Sequence, residues 1–164
     1  MGHAHGRGVR VNYMKEQKEI TSTINTLIET LKDGQEGFKQ AAEGVKDPQL
    51  KSLFNEYSQQ RSRFATELQS QARSLGEPEP ETSSSAAGAL HRSWINLKSA
   101  VTRGDDHAIL AECERGEDSA VEEYKKAIDD NLSAQLHEIV SRQYTEIKKA
   151  HDRIRNLRDA AKKS

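Results

Sequence analysis

Apolar residues recur along this chain at the three-and-four spacing of one helix face, in four long stretches. The first predicts a helix from about Glu16 to Lys46, carried by Ile20, Ile24, Leu27, Ile28, Leu31, Phe38, Ala41, Ala42 and Val45. The second opens at Asp47-Pro48, a capping residue followed by proline at the first helical position, and closes near Leu75 with Gly76 behind it. The third runs from about His107 to Asp130. The last follows Asn131-Leu132-Ser133, with Ser133 as cap, and carries Leu136, Ile139, Val140, Ile147, Ala150, Ile154, Leu157 and Ala161. A shorter stretch, about Ala86 to Thr102, places Leu90, Trp94, Leu97 and Val101 on one face. Residues 1–15 lack the period and predict a flexible extension, with Met14 as an alternative start. His3 and His5 there are too few ligands for a firm metal site.

Tight turns join the first two long helices and the last two, which makes each pair an antiparallel hairpin. The connection over residues 76–105 is long, and its Glu77–Ser85 part has the proline and serine content of a linker. Its short helix would span roughly 25 Å, enough to carry the chain from one end of a bundle to the other. The predicted fold is therefore all-α over residues 16–163: a four-helix bundle of two antiparallel hairpins, with a long crossover carrying a short fifth helix. That is the ferritin-like topology.

The stripes are broken where grease should be. On Leu50, Phe54, Tyr57, Phe64, Leu68 the interruption is Arg61; on Leu110, Cys113, Ala120, Tyr124, Ile128 it is Glu117. A charge in a bundle core demands a partner. Counting from the turns, Arg61, Glu117 and Gln143 fall near mid-height. The first helix has a gap there, at Asp33-Gly34-Gln35-Glu36-Gly37. Two interior glycines cost roughly 1 kcal/mol each, so the pattern predicts that Gly34 and Gly37 leave room for the arginine. The expected feature is a structural polar layer of Arg61, Glu117 and Gln143 over a glycine notch.

The competing reading of the same residues is a metal site. Inward carboxylates from several helices build di-metal centres in bundles, and Glu36, Glu114, Glu117 and Glu146 lie near mid-height. Glu112 and His151 are candidates to meet across the second hairpin. The Glu-x-x-His pair that such centres use is missing from Glu56-Tyr57-Ser58-Gln59, Glu67-Leu68-Gln69-Ser70 and Glu146-Ile147-Lys148-Lys149. No cofactor is favoured; iron or manganese belongs to the alternative reading of a metal-binding protein or di-metal oxidase.

Composition narrows the rest. Charged residues make up 31% of the 164 and aromatics 5%, which suits a helical bundle. A net charge of −1 gives no global attraction for nucleic acid or membrane, and no run has the length of a membrane span. No apolar leader opens the chain. The lone Cys113 excludes an internal disulfide and fits a reducing compartment, so the cytoplasm is the expected location. Residues 104–131 are acidic and 142–164 basic, which favours pairing between the last two helices. A partner-binding surface on Arg153, Arg155 and Arg158 is the other use of that charge. There is no nucleophile–base constellation, phosphate loop or aromatic-basic surface, so an enzyme is the less favoured reading.

Several motifs resemble a known family. They are Asp33-Gly34-x-x-Gly37-Phe38 with Ala41-Ala42-Glu43; Leu53-Phe54 with Gln60-Arg61-x-x-Phe64-x-x-Glu67-Leu68; Gly88-x-Leu90-His91-Arg92-x-Trp94-x-x-Leu97-Lys98; and Glu112-Cys113-Glu114-Arg115-Gly116-Glu117-Asp118. Together they resemble a bacterial family of ferritin-like four-helix-bundle proteins classed as a domain of unknown function. The resemblance implies the fold and a bacterial cytosolic setting. It implies no activity, substrate or ligand. Self-association, as a homo-oligomer, is expected of the bundle.

Overall fold

The computed structural model describes residues 3–76 and 93–161, with side chains from Glu16 onward. The described residues contain five helices and no strand. They are α1 (His3–Gly44), α2 (Pro48–Ser74), α3 (Leu97–Arg103), α4 (Asp106–Asp129) and α5 (Ala134–Ala160). Local chemistry sets most boundaries. The Asp47 carboxylate accepts from the Gln49 amide at the start of α2, Asp105 from His107 and Ala108 at the start of α4, and Ser133 from Leu136 at the start of α5. Gly76 and Gly104 take positive φ just beyond α2 and α3, where a side chain would be strained.

The hairpins α1–α2 and α4–α5 pack together through α1 on α4 and, more sparsely, α2 on α5. The crossover makes α4 start at the same end as α2. Both Asp106 carboxylate oxygens accept from backbone amides of the α1–α2 turn, Lys46 at 2.9 Å and Asp47 at 3.1 Å. At the other end the Thr23 hydroxyl donates to Asp130 at 2.7 Å, which ties α1 to the close of α4. Within the crossover, α3 lies in the groove between α1 and α4. The remainder of the predicted short helix, with Gly88, Leu90, His91 and Arg92, and the Glu77–Ser85 linker lie outside the described residues.

Two boundaries differ from the sequence expectation. Residues 94–96 form a turn, so α3 starts at Leu97 within the stretch expected to be helical from about Ala86. Helix α1 begins at His3 rather than near Glu16. An apolar period is not needed for helical backbone to continue. Once α1 is nucleated, each further residue adds one backbone hydrogen bond, and no proline stands in the way.

The core is not continuous. One apolar cluster holds Ile24, Ile28, Leu31, Ala65, Leu68, Ala120, Tyr124, Val140 and Ile147, toward the α4–α5 turn. The other holds Phe38, Ala42, Phe54, Tyr57, Leu97, Leu110, Cys113 and Ile154, toward the α1–α2 turn. Between Leu31 and Phe38, Tyr57 and Ala65, and Cys113 and Ala120, the buried residues are Asp33, Gly34, Gly37, Arg61, Gly116 and Glu117, none of them with an apolar side chain.

Asp106 is the clasp that fixes the height of α4 against the first hairpin. Asp106→Asn removes one of its two acceptors and should cost about 1–2 kcal/mol. Urea unfolding is expected to show a lower midpoint at unchanged slope. An unaltered midpoint would mean that the clasp does not hold the hairpins in register.

Candidate functional site: the buried polar layer and the groove beside it

Arg61 is 1% exposed and Glu117 is fully buried. They form a two-pronged pair: Nη1 donates to Oε1 and Nη2 to Oε2, the latter at 2.7 Å. The Arg61 Nε donates to the Gln60 side-chain oxygen at 3.2 Å, so each of the three guanidinium nitrogens donates a hydrogen bond. Its carbon also sits 5.2 Å above the centre of the Phe38 ring, within cation–π range. Burial disfavours the charged form of Arg61. The Glu117 carboxylate and its hydrogen bonds more than offset this, and the guanidinium pKa lies above its ordinary value. Nearby, burial pushes the Cys113 thiol and the Tyr124 phenol well up, so both stay neutral.

Gln143 is buried but belongs to a different layer. Its side-chain oxygen accepts from the Tyr124 hydroxyl at 2.7 Å. Its amide donates to Glu67 at 2.8 Å and to the Phe64 carbonyl at 3.3 Å. Arg142 closes the network on the second Glu67 oxygen at 2.6 Å. Tyr124 lies two turns beyond Glu117 on α4, about 10 Å along the axis. A register count outward from Ser133 would have found this, since it sets Gln143 opposite Tyr124 and His151 opposite Glu117.

The glycines also divide their work differently from the expected notch. Gly34 does face Arg61, but a Cβ there would lie 3.5 Å from Nη1, an ordinary contact. Gly37 faces Trp94, not Arg61. A Cβ on Gly37, or on Gly116 of α4, would come under 3.0 Å from the indole. Trp94 is thus slotted between two bare backbones, and one step along, Gly44 admits Val101 in the same way. The indole meets Phe38 edge-on, with centroids 5.4 Å apart, and Phe38 also packs on Phe54 and Tyr57. The sequence reading gave Gly116 no role; its place one residue before Glu117 on the face toward α3 was the available signal.

The candidate metal ligands scatter. Glu117 is committed to Arg61. Glu36 is exposed and accepts from Gln40 at 3.4 Å, while Glu146 pairs with Lys149 at 3.4 Å. Glu112 does not reach His151. It points to another side of α4, 3.9 Å from Arg115, because residues two apart on a helix face different ways. Glu114 and His151 do come together, outside the core, with Asp118, which the sequence reading missed. Glu114 is bonded by Arg158. The two nitrogens of His151 face Asp118 at 2.6 Å and Asp152 at 3.0 Å. Hydrogen bonds from His151 and Lys148 lower the Asp152 pKa to about 2.

The interior donor set does not fit a di-metal centre. The carboxylate at mid-height, Glu117, has both oxygens on a guanidinium, and His151, at a similar height on α5, turns its two ring nitrogens to Asp118 and Asp152 and not to Glu117. None of the described helices is long and apolar enough to cross a membrane.

Two hairpins, a lengthwise crossover and helices meeting in this register define a ferritin-like four-helix bundle. A solved structure of a Dps1 mutant from Mycobacterium smegmatis is similar at a TM-score of 0.65, with 15% sequence identity over 87% of this chain and 97% of that one. The chain belongs to the family described as a domain of unknown function, DUF2383, whose match spans residues 19–130. No curated protein matches it.

The glycines should separate by role. Gly34→Ala is expected to be neutral or stabilising, since alanine is the better helix former. Gly37→Ala and Gly116→Ala are expected to cost about 1–3 kcal/mol each by overpacking Trp94. Thermal unfolding of the three variants checks this; equal shifts would contradict the slot.

Proposed function

We propose that this protein is a structural or interaction bundle that works through its outer surface, and that its mid-bundle polar layer sets helix register rather than holding a cofactor. The observation that carries the reading is the buried pairing of Arg61 with both oxygens of Glu117. In a bundle of this topology, inward carboxylates can gather cations. Here the cation is covalently part of α2. A buried ion pair of this kind is costly to desolvate, but it penalises any sliding of α2 against α4 that would leave either charge alone. The gain is a unique alignment rather than net stability.

Self-association belongs to the same reading. Ile95 is 61% exposed at the turn beside Trp94, an apolar residue facing outward on the strap. A bacterial, cytoplasmic setting is also part of the proposal, supported by the single buried thiol, Cys113, and by the family resemblance. The basic face of α5 supports a partner-binding role less well, because Arg142 and Arg158 are turned to acids of α2 and α4.

Unfolding free energies of Arg61→Met, Glu117→Met and the double variant test the layer. Each single change should cost about 3–5 kcal/mol by leaving an uncompensated charge, and the double much less than their sum. Small additive losses would overturn the register role. Sedimentation of chelator-treated protein tests the rest. An unchanged helical fold and a discrete oligomer are expected; a monomer at all concentrations would remove self-association, and unfolding would reassign the interior to a metal.

A further inference from the structure

The geometry points to a binding site for a divalent transition-metal ion, of the zinc class, in the groove between α4 and α5, built from Glu114, Asp118 and His151. This site is separate from the Arg61–Glu117 layer and does not depend on the role proposed for it. Glu114 and Asp118 are one turn apart on α4 and share a face. His151 reaches them from α5. One ligand atom from each residue lies within 4.8 Å of the other two. Ligands about 2.1 Å from a tetrahedral ion sit about 3.4 Å apart, so small side-chain rotations close the gap.

The surroundings of His151 support a ligand role. Its side chain is 10% exposed, and its Nδ1 is 3.0 Å from Asp152, a residue outside the trio. A carboxylate behind the far nitrogen is how ligating histidines are oriented, because it fixes the proton on Nδ1 and turns the Nε2 lone pair to the ion. That Nε2 faces Asp118 Oδ1 at 2.6 Å. At that distance a hydrogen atom bridges the two when no ion does; the proposed ion takes its place. Asp118 is 63% exposed, so the ion's remaining position opens to water, whereas Glu114 at 12% and His151 wall the inner side. One imidazole and two carboxylates, with an open position, suit zinc and its neighbours better than calcium or magnesium. Arg158, bonded to Glu114 Oε1, is the built-in competitor.

Equilibrium dialysis against Zn2+ tests the site in full-length chain carrying His3→Ala and His5→Ala, which removes the terminal histidines. One ion per chain is expected, with affinity reduced at least tenfold by His151→Gln and by Asp118→Asn. Glu36→Gln and Glu146→Gln should leave it unchanged, and Arg158→Gln should tighten it by freeing Glu114. Substituted Co2+ should give visible bands that Asp118→Asn abolishes. All variants are compared by circular dichroism without metal, so that a loss of fold is distinguished from a loss of ligand. Absence of saturable binding in the parent, or equal affinity in the folded His151→Gln variant, would overturn the proposal.

Discussion

A single ion pair, Arg61 with Glu117, divides the core of this bundle and sets the terms for what surrounds it. Apolar packing alone is tolerant, since two greasy helices can slide past one another at modest cost. A desolvated guanidinium and carboxylate are not, because each is tolerable inside only while it faces the other. The apolar clusters on either side, one ending at Leu31 and Ala65 and the other beginning at Phe38 and Tyr57, are aligned through that layer. The Gln143 network adds a second fixed point, in which Tyr124, Glu67 and the Phe64 carbonyl meet both ends of one amide.

The crossover is coupled to the pair through aromatics. Phe38 carries Arg61 on its face and meets the edge of Trp94. Trp94 in turn occupies a gap that exists because Gly37 and Gly116 lack side chains. The strap is therefore seated on the polar layer's own wall. Glycine in a helix interior lowers helix stability, and here the indole's burial and ring contacts offset that cost. The lengthwise crossover that distinguishes this topology from a plain up-and-down bundle is held by that slot, by Val101 against Gly44 and by the Asp106 clasp.

The fold was legible because its signals are periodic and local. Apolar spacing gave the long helices, Asp47 and Ser133 marked the starts of two of them, and the length of the middle connection gave the topology. Arg61 and Glu117 stood out because charge on an apolar stripe is conspicuous. What was not legible depended on register and on the absence of side chains. Gln143 lies one layer away, opposite Tyr124, because a break in an apolar stripe marks a polar position without fixing which facing residue it meets. Gly37 was matched to the nearest conspicuous residue, when its partner came from a crossover whose path the sequence does not specify. Asp118 looked like one acid among many in an acidic helix. Only the pairing of α4 with α5 shows that it shares a face with Glu114 opposite His151.

The most direct test of the dividing ion pair is nitrogen-15 nuclear magnetic resonance of the Arg61 guanidinium in solution. A two-pronged hold on Glu117 in a dry core stops rotation of the guanidinium and shields its protons. Individually resolved Nη protons that exchange slowly with water, and that collapse in Glu117→Gln, are the predicted result. A single averaged Nη signal exchanging as fast as that of an exposed arginine would contradict the account.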